Sequence, residues 1–159
     1  MEKVYDSSMK LLIFSDSHGC LSAMEQAANR EQPDHILHLG DHLRDAAALR
    51  ERFSVPVTAV PGNCDGLTKE PAVLTLELLN KRIYMTHGHL HGVKLHYQRV
   101  IYAALEAEAD ILLFGHTHRP ECFSECGLWV MNPGACGPHG TYGVIELQSD
   151  HITCQLKGV

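Results

Sequence analysis

Residues 110–118 read Asp110-Ile-Leu-Leu-Phe-Gly-His116-Thr-His118 and guide the interpretation of the whole chain. The apolar run stops at a glycine, which is typical of a buried strand, and two histidines follow it. Neutral imidazoles just past a strand end are well placed to bind a transition metal. One His-x-His pair is also typical of hydrogen-bonded loop residues, so its meaning depends on how the other strands end.

Two strand-helix units stand at the start of the chain. Apolar runs predict strands at residues 10–15, 35–39 and 55–60, and the spacing of small and apolar residues predicts helices at 21–30 and 44–52. Consecutive strand-helix units favour a parallel sheet with right-handed crossovers. Strands that are covered on both faces are apolar throughout, as these are.

The rest of the chain combines one hairpin, one helix and several short strands. Residues 73–79 and 82–86 flank an Asn80-Lys81 turn, and residues 97–109 have one apolar stripe. Gly, Pro, Ser and Asp separate the last segments, which predicts antiparallel strands. These segments cover residues 121–126, 128–131, 142–147 and 152–156. We expect one domain over residues 9–159, preceded by an extension of residues 1–8.

Composition restricts the classes of partner. A chain of 159 residues is long enough for one domain with a full core. With a net charge of −6, the chain lacks the basic surface field that drives strong binding to nucleic acid or membranes. An anionic substrate therefore needs local positive charge, most simply from metal ions. The chain shows no apolar signal segment and no apolar run of transmembrane length, so we expect a cytoplasmic protein without membrane binding.

The cysteines do not form a recognisable framework. All six are scattered, and a cytosolic chain would keep them reduced. Cys122 and Cys126 have a spacing that a structural zinc site can use, but no second pair follows them. We interpret them as ordinary strand thiols.

Five predicted strands end in the same kind of side chain. Each is followed by a carboxylate, an imidazole or an amide, nearly always beside a glycine. The five strand ends read Asp16-x-His18, Gly40-Asp41, Gly62-Asn63-x-Asp65, His87-Gly88 and Gly115-His116-x-His118. Ligands bind at the carboxyl edge of open α/β sheets, so we expect these residues to converge. Oxygen and nitrogen ligands without thiolate suit manganese, iron, zinc, nickel or cobalt.

Each of these residues has a structural alternative when it is considered alone. Asp16 and Asp41 are also typical helix N-caps, Asn63 is a typical turn residue, and His87 could be a hydrogen-bonded loop histidine. The recurrence of such residues at five strand ends favours the metal site.

In this order, the five motifs resemble those of the calcineurin-like metallophosphoesterases. The small size and the sequence Gly62-Asn63-Cys64-Asp65 resemble the compact phosphodiesterases of the YfcE-like branch. The resemblance runs from about Met9 to Leu156. It implies an α/β fold, specifically a single-domain four-layer α/β/β/α sandwich with a two-metal site at the sheet edge.

The resemblance also implies the cofactors and the site residues. It predicts two divalent transition-metal ions, manganese first and nickel, zinc, iron or cobalt as alternatives, with a metal-bound hydroxide as the nucleophile. It places catalytic residues at Asn63, Cys64 and Asp65. The implied metal ligands are Asp16, His18 and His118 for one ion, Asn63, His87 and His116 for the other, and Asp41 as the bridging carboxylate.

Cys64 departs from the wider family, in which many members have a histidine that helps to protonate the leaving group. An unperturbed thiol has a pKa of about 8.5, against about 6.5 for imidazole, so it is a weaker acid. His42, His89 and His139 are alternative acids, and each is equally typical of a loop histidine.

Two further features bear on the resemblance. One is a spacing that differs from the family pattern, and the other is a loop that is similar to it. Asp45 lies four residues after Asp41, where the family commonly has three. Asn132-Pro-Gly134 resembles the loop that closes the site in the small enzymes.

The predicted function is hydrolysis of a small phosphodiester. A phosphomonoesterase or a nucleotide pyrophosphatase would use the same metals, and a non-catalytic protein-interaction scaffold has the same fold. Competent side chains at all seven implied ligand positions favour an enzyme over a scaffold. Small members of the family often form dimers or tetramers, so the resemblance also predicts a homo-oligomer.

Overall fold

The computed structural model describes residues 7–159. Residues 1–6, which make up most of the predicted extension, lie outside this range. No helix among the described residues has the length and apolar character that a membrane crossing requires. The first elements are β1 (Met9–Phe14), α1 (Leu21–Glu31), β2 (His35–His38), α2 (Leu43–Arg52), β3 (Val57–Ala59), β4 (Val73–Leu78) and β5 (Lys81–Thr86). A 3₁₀ turn (His89–His91) follows, then α3 (Gln98–Glu106), β6 (Ile111–Leu113), β7 (Glu121–Glu125), β8 (Leu128–Asn132), β9 (Thr141–Leu147) and β10 (Ile152–Gly158).

The first sheet contains the parallel strands that the strand-helix units predict. β1 pairs in parallel with β2, and β2 with β3. β9 and β10 extend the sheet by antiparallel pairing, so its order is β10-β9-β1-β2-β3. α1 and α2 cover the outer face, where Met24, Ala27 and Leu49 share a buried cluster with Leu12 and Ile36.

The second sheet has the order β4-β5-β6-β8-β7. Its central strands β5, β6 and β8 are parallel, while β4 and β7 are antiparallel edge strands. α3 covers the outer face, where Val100 and Ala104 share a buried cluster with Tyr84, Leu112 and Val130.

The inner faces of the two sheets form the central core. Leu11 and Ile13 of β1 share this core with Met85 of β5 and Ile111 of β6. Successive side chains of a strand point to opposite faces, which is why Leu12 belongs to the outer cluster instead. The predicted four-layer α/β/β/α sandwich in a single domain is confirmed.

The last four segments are strands, and they pair antiparallel as predicted, β7 with β8 and β9 with β10. The two pairs lie in different sheets, β7 and β8 in the second and β9 and β10 in the first. β8 also pairs in parallel with β6, with Leu112 opposite Val130. Local alternation predicts that a segment is a strand, but its partner depends on distant residues. The predicted helix at 97–109 ends at Glu106, and Glu108 has a left-handed backbone (φ 54°).

Candidate metal centre

The carboxyl ends of the parallel strands from both sheets meet at one edge of the sandwich. Asp16 N donates to the Gly40 carbonyl over 3.0 Å, which joins the ends of β1 and β2. His116 N donates to Asp16 Oδ2 over 3.0 Å, which joins the second sheet to the first. Side chains that are far apart in sequence therefore converge here.

One group of potential ligands consists of Asp16, His18 and His118. One ligand atom from each lies within 4.8 Å of the other two. Asp16 is buried, and its Oδ1 lies 3.0 Å from His118 Nε2. Both histidines are exposed, so this group lies at the open side of the site.

A second group consists of Asp41, His87 and His116. One ligand atom from each of these residues also lies within 4.8 Å of the other two. His87 Nε2 lies 3.4 Å from Asp41 Oδ2 and 3.2 Å from His116 Nδ1. Asp41 and His87 are buried, so this group is the deeper of the two.

Asp41 belongs to the second group and lies at its boundary with the first. Its Oδ2 is 3.4 Å from His87 Nε2 and 3.9 Å from His18 Nε2, and these histidines belong to different groups. His87 Nε2 is also 3.8 Å from Asp16 Oδ1. The two groups therefore adjoin each other, and a carboxylate with two oxygens stands at their junction.

The tautomer of His87 follows from its hydrogen bond. His87 Nδ1 lies 2.8 Å from the carbonyl oxygen of Leu39, which can only accept, so Nδ1 carries the hydrogen. Nε2 then faces the site, and in the neutral ring it carries the lone pair that a metal would need. At His116, burial and the nearby charges of His87 and Lys94 lower the pKa, which favours the neutral ligand form.

The Asp41 carboxylate remains ionised at neutral pH. Burial alone would raise the pKa of Asp41, but the Cys64 N–H bond and the charge of His87 outweigh it and lower the pKa below its ordinary value. Asp16 Oδ2 accepts from Ser15 Oγ over 2.5 Å. Two carboxylates and four imidazoles without thiolate form a donor set that fits divalent transition metals.

Left-handed backbone conformations are concentrated in the two groups. The φ angles are 52° at Asp16, 45° at His18, 58° at Asp41, 69° at His116 and 59° at His118. Each such residue costs on the order of 1–3 kcal/mol, and such strain is typical of functional sites. The surrounding hydrogen bonds therefore hold these side chains in positions that an unconstrained chain would avoid.

Asp65 links the loop after β3 to the loop after β2 by hydrogen bonds. Its Oδ1 accepts from His42 N and Leu43 N at 2.7 Å each, and its Oδ2 accepts from Gly62 N at 2.7 Å and Asp41 N at 2.9 Å. Burial would raise the pKa of Asp65, but these four bonds lower it below its ordinary value. Its contacts therefore position the backbone beside Asp41.

Neighbouring atoms lie so close to the backbone at position 62 that only glycine fits there. A Cβ atom at Gly62 would lie 2.0 Å from Asp41 Oδ1, well inside contact distance. Gly115 has the same constraint, because a Cβ there would lie 2.0 Å from Ser15 Oγ. The backbone must pass directly beside both carboxylate-bearing loops.

Asn63 and Cys64 lie at the exposed rim of the site. Cys64 N donates to Asp41 Oδ1 over 3.0 Å, and Asn63 Nδ2 lies 3.5 Å from Cys64 Sγ. Desolvation, followed by the charge of Asp41, raises the pKa of the Cys64 thiol. The thiol is therefore protonated at neutral pH and is a poor acid.

A buried polar chain supports the loop after β1, and sequence patterns alone did not identify its central residue, His38. His38 Nδ1 accepts from Gly40 N over 3.2 Å, so Nε2 bears the hydrogen and donates to Ser17 Oγ over 2.9 Å. Ser17 Oγ in turn donates to Asp45 Oδ2 over 2.6 Å. Burial lowers the pKa of His38 to about 4, so it stays neutral. The available signal was a histidine in an apolar strand just before Gly40-Asp41.

The three histidines predicted as alternative acids have different surroundings. The His89 ring lies 5.5 Å from the His87 ring, measured between centroids, whereas His42 Nδ1 lies 3.0 Å from Asp45 Oδ1. His139 lines a separate surface cavity beside α1. Of the three alternative acids, only His89 has a ring paired with rings of the second ligand group among the described residues.

Asn132 holds the loop that carries His116 and His118. Its Nδ2 donates to the Gly115 carbonyl over 3.1 Å and to Thr117 Oγ1 over 2.9 Å. Its Oδ1 accepts from Gly134 N over 3.0 Å, which closes the turn after β8.

Comparison with known proteins identifies the family. The profile of the calcineurin-like phosphoesterase superfamily domain matches residues 9–150. A probable metallophosphoesterase of Bacillus subtilis, YsnB, is 34% identical over 93% of this chain and 90% of its own. The phosphodiesterase YfcE of Escherichia coli K12 is 32% identical over 87% of this chain and 88% of its own. A predicted phosphoesterase of Streptococcus pneumoniae TIGR4 has a similar solved structure, with a TM-score of 0.82, 29% identity and coverage of 96% and 90%.

The chain therefore belongs to the calcineurin-like phosphoesterase superfamily. The family resemblance inferred from the five strand ends is confirmed, and so is the prediction of a metal-dependent phosphoester hydrolase. The family uses divalent metals, and the two ligand groups provide two candidate positions for them.

Proposed function

We propose that this chain is a phosphodiesterase that works with two divalent ions. The observation that carries the proposal is the position of Asp41, which contacts a histidine of each ligand group. Divalent ions held by these residues would lower the pKa of bound water and neutralise the charge of the phosphoryl oxygens. The proposed ligands are Asp16, His18 and His118 for one ion, Asn63, His87 and His116 for the other, and Asp41 for both.

The residues of the chain supply orientation and charge. His87 is oriented by the Leu39 carbonyl, so that its Nε2 points inward. Asp65 holds the loop that presents Asn63, through four backbone hydrogen bonds, and acts as a positioning residue. Neither role requires a covalent phosphoenzyme.

Leaving-group protonation limits the range of substrates. Cys64 stands at the rim beside Asp41, and its raised thiol pKa makes it a weak proton donor. Esters with acidic leaving groups need little protonation, whereas alkoxides need much more. We therefore favour activated diesters, in keeping with the similarity to YfcE, over a phosphomonoesterase or a nucleotide pyrophosphatase built on the same ligands.

Manganese is the ion that we favour, with nickel, zinc, iron and cobalt as alternatives. The carboxylate oxygens and the imidazole nitrogens of the site suit all of them, and the centre contains no thiolate ligand among the described residues.

The six cysteines are free thiols, which suits a protein of the reducing cytoplasm.

Reconstitution with manganese tests the proposal. Elemental analysis should find two ions per chain, and a panel of 4-nitrophenyl mono- and diesters should show turnover of the diesters. A stoichiometry that never exceeds one ion per chain, or a manganese-loaded protein that hydrolyses none of the esters, would contradict it.

A further inference from the structure

A cavity of about 450 Å³ opens beside the candidate metal centre. Residues 93–97 form one wall, and Thr117 and Arg119 form another. Thr117 lies between His116 and His118, so the cavity and the candidate metal centre share the loop after β6. The cavity therefore adjoins the loop that carries two of the candidate ligands.

In the part of the chain that the structure describes, the cavity is lined by basic side chains among others and by no acidic one. Lys94 contributes an ammonium group, Arg119 a guanidinium group and His96 a hydrogen-bonding ring. Across residues 7–159, neither Lys94 nor Arg119 forms an ion pair with a carboxylate. In a chain of net charge −6, two unpaired cations in one recess favour the binding of an anion.

The wall that carries Arg119 is held in place. Thr117 Oγ1 accepts from Arg119 N over 3.2 Å and from Asn132 Nδ2 over 2.9 Å. Tyr97, which lines the cavity, donates its hydroxyl hydrogen to the carboxylate of Glu121, which does not line it. No carboxylate within residues 7–159 forms an ion pair with the guanidinium of Arg119.

We propose that this cavity binds a second phosphate of the substrate, beyond the one that is hydrolysed. The substrate class is then a small phosphodiester that carries a terminal phosphate on one ester arm, an inference that rests on the proposed function. A planar guanidinium and an ammonium suit a terminal phosphate. Leu95, 87% exposed at the same cavity, offers an apolar surface to the group that joins the two phosphates.

Two matched chromogenic diesters test the subsite. One is the 4-nitrophenyl ester of thymidine 5′-phosphate, and the other is the same compound with an added 3′-phosphate. For the manganese-loaded full chain, we expect kcat/KM to be at least tenfold higher for the second ester, mainly through a lower KM. In the double variant Lys94→Gln/Arg119→Gln, the ratio should fall to about one. Lys81→Gln, at the opposite end of β5 from His87, is the control and should preserve the ratio.

Calorimetry separates the subsite from the proposed function. Thymidine 3′,5′-bisphosphate should bind the metal-loaded protein at least tenfold more tightly than thymidine 5′-phosphate, and the double variant should lose this difference. If neither ester is hydrolysed but the binding difference persists, the phosphodiesterase proposal fails and the subsite stands. Equal affinities and equal kcat/KM values would overturn the subsite alone, as would a preference that survives the double substitution.

Discussion

His87 at the end of β5 donates its Nδ1 hydrogen to the carbonyl oxygen of Leu39, which follows β2, over 2.8 Å. This bond connects the two sheets and aims Nε2 at Asp41 Oδ2, 3.4 Å away. A buried core fixes the separation of the sheets, so the packing of β1 against β5 and β6 also sets the geometry of the ligands. The site therefore depends on the whole sandwich.

Asp41→Asn should be among the most damaging substitutions. It removes the negative charge at the junction of the two ligand groups, so we expect metal content to fall from two ions to one or fewer and kcat/KM to fall by at least about 100-fold. Elemental analysis and diester kinetics measure both effects. Asp150→Asn, in an exposed loop, is the control and should retain two ions. Near wild-type turnover in Asp41→Asn would show that the ligands are wrongly assigned.

Gly62→Ala tests the close approach of the loop after β3. The new Cβ would lie 2.0 Å from Asp41 Oδ1, so the carboxylate must move. We expect weaker metal binding and a loss of roughly 10²-fold in kcat/KM, because small displacements of catalytic groups have effects of this size. Gly158→Ala is the matched control, since its backbone, like that of Gly62, is not left-handed and the nearest atom to a Cβ there, Gly140 O, lies 3.9 Å away. Equal activity of the two variants would argue against tight packing at Gly62.

The leaving group should strongly affect the rate of the wild-type enzyme. Because the Cys64 thiol is a poor acid, single-turnover rates for a series of aryl diesters should fall by roughly 10²-fold or more as the leaving-group pKa rises from that of 4-nitrophenol to that of phenol. Single-turnover conditions keep product release from setting the rate. A flat series would indicate an efficient general acid elsewhere, with His89 the nearest alternative of the three.

Cys64→His should improve leaving-group protonation. It introduces a group with a pKa near 6.5, and well-placed general acids contribute about 10²–10⁴-fold. Rates for alkyl esters and monoesters should rise, with a new pH dependence in which activity falls as pH rises above the imidazole pKa, while activated aryl diesters change little. Cys64→Ala is the control and should resemble the wild type. A uniform loss in Cys64→His at full metal content would indicate a steric role for this position.

Glu31 should make stability depend on pH. Its carboxylate is buried and accepts from Lys157 Nζ at 2.9 and 3.1 Å and from Tyr142 Oη at 2.9 Å. Burial would raise the pKa of Glu31, but these bonds and the charges of Lys157 and Lys10 lower it below its ordinary value. The lowered pKa stabilises the fold fully above the unfolded value of about 4.3, and this contribution is lost as pH falls through the folded pKa.

The variant Glu31→Gln tests this effect. We expect the free energy of unfolding to fall by about 1–3 kcal/mol at pH 7, because hydrogen bonds to a charged group are lost. The difference from the wild type should shrink below about pH 4. Urea titrations at several pH values measure it, with Glu125→Gln on an exposed position as the control. A difference that is independent of pH would mean that the charge of Glu31 is not involved.

The sequence by itself determined the local structure, the fold class and the family. Apolar runs at residues 10–15 and 35–39 predict strands because burial on both faces requires apolar side chains, and β1 and β2 closely match them. The glycines and polar residues after these strands predicted which side chains would stand at the sheet edge. The ordered set of five motifs then indicated the superfamily, which the comparisons confirm.

Only the tertiary structure decided how the pieces come together. The pairing of β9 with β1 and of β8 with β6 joins residues that are distant in sequence, so no local pattern specifies it. The same holds for the tautomer of His87, the four hydrogen bonds to Asp65, and the position of Lys94 beside the loop of Arg119. Each of these depends on distances between separate elements, and those distances exist only once the two sheets have packed together.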